Sequence, residues 1–278
     1  MPAVIDLHCH STFSDGVLTP RDLLARARDN GVEVLALTDH DCISGLPDAQ
    51  AAASEYGVRL VNGVEISVTW AGHTIHIVGL NVDLASKALQ DGLAATRAGR
   101  DARGQEIAAQ LAKAGIPGVW EGALRYVGNP DLISRSHFAR YLVEIGVCAS
   151  VSKVFENYLV DGKPGYVPMR WAALDDAIAW IRAAGGMAVV AHPGRYALTD
   201  TQFWAFFTQF RDQGGEGVEV VTGSHTPDQY GEYADVARRF GLRASRGSDF
   251  HSPTESRMDL GGGPPLPKDL VPVWRDWF

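Results

Sequence analysis

Seven short apolar runs punctuate this chain, and six of them carry a histidine or a carboxylate at or near one end. The runs cover 3–7, 33–38, 59–66, 74–80, 187–191, 217–221 and 243–246. They are β-branched and too short for helices, so they read as strands. Helical patterns separate most of them, over 21–29, 46–56, 175–184, 201–212 and 228–240. Thr19 stands as an N-cap before Pro20, and Gly31 and Gly57 stand at helix ends. This alternation predicts an α/β fold around a barrel-like parallel sheet. In a parallel barrel the C-terminal strand ends share one face, where active sites sit. Six polar strand exits on one face are far less expected by chance than any single one.

The stretch 97–170 is different. It is helical in pattern without a convincing strand, and its ten Lys and Arg against seven Asp and Glu make it +3. The whole chain is −8, which leaves −11 for the remainder. A basic helical insertion, 97–170, in an acidic barrel, 1–96 and 171–278, is the expected organisation. The acidic balance argues against binding long nucleic acid, but a local basic cluster can still hold a small phosphorylated ligand. No apolar run approaches the ~20 residues of a membrane span, and the N-terminus lacks the features of a signal peptide. Cys9, Cys42 and Cys148 are too few and too scattered for a disulfide framework. A reduced, cytoplasmic, monomeric protein is expected.

The strongest local signal is Asp6-Leu7-His8-Cys9-His10. Strand alternation places Asp6, His8 and His10 on one side and Cys9 on the other. Two imidazoles so spaced can grip one metal, and Cys9 reads as a small packed residue. The second strand ends in Thr38-Asp39-His40-Asp41 and the third in Gly63-Val64-Glu65. The fourth carries His76, the fifth leads into His192-Pro193, and the last leads into Ser248-Asp249-Phe250-His251. Asp15 lies in the loop after the first strand. Taken singly, an HxH pair, a histidine in an apolar strand or an aspartate before glycine has an ordinary structural reading. Together, His8, His10, Asp15, His40, Glu65, His76, His192, Asp249 and His251 exceed the four ligands of one tetrahedral zinc. They suit two or three divalent ions with a bridging carboxylate. Donors of this mixed kind without thiolate fit Zn²⁺, Mn²⁺ or Fe²⁺, and Mn²⁺ is the ion expected. Paired metals activate water and clamp oxygens in phosphoryl transfer.

These motifs resemble those of the PHP (polymerase and histidinol phosphatase) phosphoesterases, and they run from the first ten residues to about residue 251. The resemblance implies a distorted (β/α)7 barrel holding up to three metals. It implies His8, His10, Glu65 and Asp249 around one ion, and Glu65, His76 and His192 around a second. Asp15, His40 and His251 would hold the third. Within the family, Ile133-Ser134-Arg135-Ser136-His137 and Asp161-Gly162-Lys163-Pro164-Gly165-Tyr166 resemble small phosphoesterases acting on 3′,5′-nucleotide bisphosphates, whose relatives shorten RNA from the 5′ end. Arg135, Ser136 and Lys163 are then candidates for a substrate phosphate.

Arg195, three residues beyond His192, and His225, after the sixth strand, are further candidates for the substrate. Glu65, Asp249, His192 and His225 are the candidates for the chemical step. Trp120, Tyr126, Tyr158 and Tyr166 could stack a base or form the core of the insertion. The expected activity is hydrolysis of the 3′-phosphate of a nucleotide bisphosphate. Its rivals are 5′→3′ cleavage of short 5′-phosphorylated RNA, histidinol phosphate hydrolysis, and a non-catalytic metal-binding scaffold.

Overall fold

A computed structural model describes residues 3–277. Met1, Pro2 and Phe278, the last residue of the aromatic C-terminal tail, lie outside the described residues. Seven strands form one sheet in sequence order: β1 (Ile5–Asp6), β2 (Val34–Leu37), β3 (Arg59–Trp70), β4 (His73–Leu80), β5 (Met187–Val190), β6 (Gly217–Thr222) and β7 (Arg243–Gly247). The seam between β1 and β7 is closed by Leu7 N–H donating to Arg246 O at 3.0 Å and Asp249 N–H donating to His8 O at 2.8 Å. Gly247 permits that approach, since a Cβ there would lie 2.6 Å from the His8 nitrogen.

The sheet is mixed, which corrects the all-parallel expectation. β4 runs antiparallel to both β3 and β5, whereas the other pairs are parallel. Ala71 and Gly72, with φ of 46° and 84°, make a two-residue hairpin between β3 and β4. β3 therefore continues four residues past the predicted end at 66. Because β4 is reversed, its early residue His76 lies at the same end as the exits of its parallel neighbours.

Helices α1 (Pro20–Asp29), α2 (Leu46–Tyr56) and α3 (Lys87–Arg97) precede the insertion. Thr19 caps α1 by accepting from the Asp22 N–H at 3.2 Å, with Pro20 opening the first turn. Helix α3 escapes the sequence pattern because Gly92 interrupts it. That glycine lets the Trp180 ring lie against the helix, where a Cβ would come within 2.3 Å of it. Then come α4 (Arg100–Lys113), α5 (Val119–Leu124), α6 (Arg135–Glu144), α7 (Val151–Val154) and a π turn (Phe155–Leu159). Ile107, Leu111, Phe138, Leu142 and Leu159 give these elements a core of their own.

Helices α8 (Leu174–Ala183), α9 (Asp200–Asp212) and α10 (Pro227–Phe240) cover the sheet through Ile178, Phe206, Phe210 and Phe240. Inside the barrel, Val61 shares a face of β3 with Glu65, and Val78 a face of β4 with His76. Apolar inner side chains thus give way to polar ones along the barrel. The C-terminal segment joins the apolar group: Val273, Trp274 and Trp277 pack with Ile5, Val34 and Val189. No helix among the described residues is long and apolar enough to cross a membrane.

Candidate metal centre and cleft

The strand exits deliver nine ligand-type side chains to one place. His8 and His10 leave β1 with their Nε2 atoms 3.1 Å apart, both rings fully buried. Asp39 accepts from Ser11 N–H at 2.8 Å and from the Ser11 and Ser14 hydroxyls, and so pins the loop that carries Asp15. Asp6 is likewise structural, accepting from the Ser248 and Gly261 N–H groups, each at 2.8 Å. Cys9 packs away from the site and donates to Ala36 O.

Glu65 sits at the middle. Its Oε1 lies 2.9 Å from both His76 Nδ1 and His192 Nε2. Its Oε2 lies 2.9 Å from His40 Nδ1 and 3.4 Å from the Nε2 atoms of His8 and His10. Asp249 Oδ1 lies 3.5 Å from His10 Nε2 and 3.6 Å from His8 Nε2 and His251 Nδ1. Asp15 Oδ1 lies 3.3 Å from His251 Nε2 and 3.6 Å from His40 Nε2.

The donor atoms fall into overlapping groups within 4.8 Å: His10, Asp15, His40 and His251; His8, His10 and Asp249; His8, Glu65 and His192; His40, Glu65 and His76. All nine candidates appear, and Glu65 belongs to two groups. The grouping differs from the implied partition: His10 joins Asp15, His40 and His251, Glu65 stands with His8 and His192 and separately with His40 and His76, and Asp249 stands with His8 and His10 alone. His40 Nδ1, Glu65 Oε2 and Asp15 Oδ1 are buried without a hydrogen-bond partner among the described residues. Unpaired buried polar atoms are costly, and these three face other donors of the kind that hold divalent cations. The residues therefore fit a polynuclear divalent-metal site.

Electrostatics agree. Burial pushes the Glu65 carboxyl up, but the imidazoles of His76, His40 and His8 hold it well below the usual range. Burial acts likewise on Asp249 and is outweighed by His8, His10 and His251. Burial drives His10 and His192 down to about 3, but at His8, His40 and His251 it is outweighed by the carboxylates of Glu219, Glu65 and Asp15, which raise these imidazoles, His40 to about 9, so metal binding there would release protons. Asp41, His192 and Asp249 hold φ of 48°, 26° and 54°, strained conformations of the kind that cluster at functional sites.

Two supporting carboxylates were not among the sequence candidates. Glu219, buried on β6, lies 2.7 Å from His8 Nδ1 and accepts from His192 N–H at 2.6 Å. Asp41 accepts from Ser67 N–H and Oγ at 2.7 and 2.9 Å and from the Arg100 guanidinium. The signal for Glu219 was present: a lone carboxylate in a buried apolar strand needs a partner.

A cleft of about 420 Å³ opens beside this cluster. Six arginines line it: Arg100, Arg103, Arg135, Arg140, Arg195 and Arg257. Arg100 is paired with Asp41, and Arg140 forms a bidentate pair with Glu255. Arg103 and Arg135 donate to backbone carbonyls, those of Val167 and Leu159, with no carboxylate partner among the described residues. Burial and neighbouring arginines lower both guanidinium groups, Arg103 to about 10. Such a wall is built for an anion.

Several sequence candidates are placed otherwise. Lys163 is exposed on its loop and does not line the cleft. His225 uses both ring nitrogens on the backbone: Nδ1 pairs with Val220 O at 3.1 Å, and Nε2 accepts from Gly194 N–H at 3.0 Å. It braces the His192–Arg195 segment and presents no free nitrogen to a substrate. Ser136 lines the cleft but donates to Asp15 Oδ2 at 2.8 Å. Arg195 lines the cleft 3.6 Å from Asp249 Oδ2. Trp120 and Tyr158 pack in the insertion core, Tyr126 donates to Glu144, and none of the four aromatic candidates lines the cleft. The rings that do are Phe155 and Trp171.

A nearly closed mixed barrel, a histidine and carboxylate cluster at one end and an arginine-lined cleft beside it define a metal-dependent hydrolase of anionic esters. A PHP domain family model matches residues 6–102. The 3′,5′-nucleoside bisphosphate phosphatase of Chromobacterium violaceum is 50% identical, over 99% of this chain and 96% of its own. The 5′-3′ exoribonuclease Rnm of Salmonella typhimurium is 45% identical, over 99% and 94%. A solved structure from Bifidobacterium adolescentis, described as a metal-dependent phosphoesterase, is 30% identical over 98% of this chain and 94% of that one, with a TM-score of 0.82. The chain belongs to the PHP family and is a phosphoesterase.

Proposed function

We propose that this enzyme hydrolyses the 3′-phosphate of 3′,5′-nucleoside bisphosphates, giving a 5′-mononucleotide and phosphate. The observation that carries the reading is the pair Arg103 and Arg135, half-buried cations without carboxylate partners among the described residues, in the cleft beside the histidine and carboxylate cluster. One phosphate at the cluster and a second at these arginines describes a substrate with two phosphates. The bisphosphatase relative at 50% identity supports the choice. Bound divalent ions, Mn²⁺ foremost, supply a nucleophilic water and polarise the phosphoryl oxygens.

The nine ligand-type residues, His8, His10, Asp15, His40, Glu65, His76, His192, Asp249 and His251, would hold those ions. Arg135 and Arg103 orient the distal phosphate, and Arg195 adds charge at the Asp249 edge. His40, His76 and His251, which line the cleft, are taken up as ligands and are therefore not free to protonate the leaving 3′-oxygen. We take the chain to work as a cytoplasmic monomer. Its three cysteines are unpaired.

Arg135→Ala tests the reading. Charge-assisted contacts are worth ~1.5–3 kcal/mol, so kcat/KM for adenosine 3′,5′-bisphosphate should fall at least tenfold. Hydrolysis of p-nitrophenyl phosphate, which has no second phosphate, should barely change. Equal losses on both substrates would contradict a distal phosphate site.

A second reading, 5′→3′ trimming of short RNA, is favoured by Arg257, an exposed cation in the cleft lining that a further phosphate of an oligonucleotide would meet. The exoribonuclease relative at 45% identity points the same way.

A further inference from the structure

We infer that Ser136, on the helical insertion, is a positioning residue for the metal centre, so that docking of the insertion completes one of its ligand groups. The inference rests on the metal-site reading above and adds to it a division of labour along one helix.

Asp15 offers two oxygens. Oδ1 faces His251 and His40 and has no hydrogen-bond partner, whereas Oδ2 accepts from Ser136 Oγ at 2.8 Å. The hydroxyl thereby fixes which oxygen is presented to the cluster. A carboxylate held on one oxygen and presented on the other is the usual arrangement of an oriented metal ligand. Ser136 sits in the first turn of α6, beside Arg135, whose guanidinium lines the cleft. One turn further on, Arg140 is nearly buried and makes a bidentate pair with Glu255, at 3.0 and 2.9 Å.

Glu255 belongs to the loop that follows His251. In that loop Ser256 Oγ accepts from His251 N–H at 2.8 Å. Helix α6 is therefore tied to both loops that carry the Asp15 and His251 ligands, and it presents an anion-binding arginine from the same turn. By linkage, whatever fixes α6 favours the Asp15, His40 and His251 group, and filling that group fixes α6.

The test is a titration of metal-free protein with Mn²⁺ alone, following free Mn²⁺ by its EPR signal. No substrate is present, so the outcome is independent of which phosphoester the enzyme prefers. Ser136→Ala should weaken one Mn²⁺ site about 10- to 100-fold and leave the others in place. Ser136→Thr, which keeps the hydroxyl, should restore it. Arg135→Ala should bind Mn²⁺ as the unaltered protein does. Glu255→Gln, which loosens the clamp without touching a ligand, should weaken the same site. If Ser136→Ala binds Mn²⁺ unchanged and only KM rises, Ser136 is a substrate contact and the inference is wrong. If every site weakens together and the melting temperature drops, the hydroxyl is merely structural and the inference also fails.

Discussion

Glu219 shows how much of the site depends on single side chains that touch no substrate. It holds His8 by the nitrogen facing away from the cluster and His192 by its backbone N–H in a strained conformation. Glu219→Gln should therefore keep the fold but lower metal affinity about 10- to 100-fold, measured by Mn²⁺ retained after dialysis. His137 makes a different case. It is buried in the first turn of α6, its Nδ1 accepts from Ser134 N–H at 3.0 Å, and burial lowers it to about 4. The unfolded imidazole titrates near ~6.5. Below that pH the unfolded chain takes up a proton that the folded one refuses, so stability is full above 6.5 and is lost as pH falls toward 4. The loss reaches at most about 3 kcal/mol. In metal-free protein, His137→Asn should narrow the difference in melting temperature between pH 7 and pH 4.5.

At this scale most of the ligand candidates were legible because they stand at or near a strand end where an apolar run has no other use for them, with Asp15 in the loop after the first strand. Arg100 and Arg103 were not, since within a basic helical stretch nothing distinguishes an arginine facing a cleft from one facing solvent. His225 misled for the converse reason. Its position after a strand resembles the others, but the backbone of Val220 and Gly194 takes both its nitrogens.

Among the elements, the seam between β1 and β7 is the most exacting. Gly247 passes so close to His8 that a Cβ would lie 2.4 Å from the histidine Cβ and 2.6 Å from its nitrogen. Backbone there cannot yield as a flexible side chain would. Gly247→Ala should cost about 1–3 kcal/mol and reduce metal retention with it, read by urea unfolding beside Mn²⁺ content. The same change at Gly231, where nothing lies within 4 Å, should cause neither loss. The strand and helix positions were largely legible from alternation and capping residues. The reversed direction of β4 was not, because periodicity carries no direction and the turn is Ala71-Gly72 rather than a stronger hairpin signal. Helix α3 was hidden by Gly92, whose role as a seat for Trp180 is visible only in the packing.

For the whole molecule, the division into an acidic barrel and a basic helical stretch acquires a physical meaning in the cleft. The barrel gathers buried carboxylates whose charge a cation would neutralise and imidazoles that would ligate it, and the helical stretch brings arginines that an anion would neutralise. Contacts such as Ser136 to Asp15 and Arg140 to Glu255 join the two. A substrate with one phosphate for each side satisfies both. The direct test is phosphate release by Mn²⁺-loaded enzyme from adenosine 3′,5′-bisphosphate, run beside 5′-AMP, 3′-AMP and a 5′-phosphorylated RNA trinucleotide. Rapid release from the bisphosphate is expected, with 5′-AMP as the remaining product, and slow release from either monophosphate. A shortened trinucleotide with the bisphosphate left intact would contradict it.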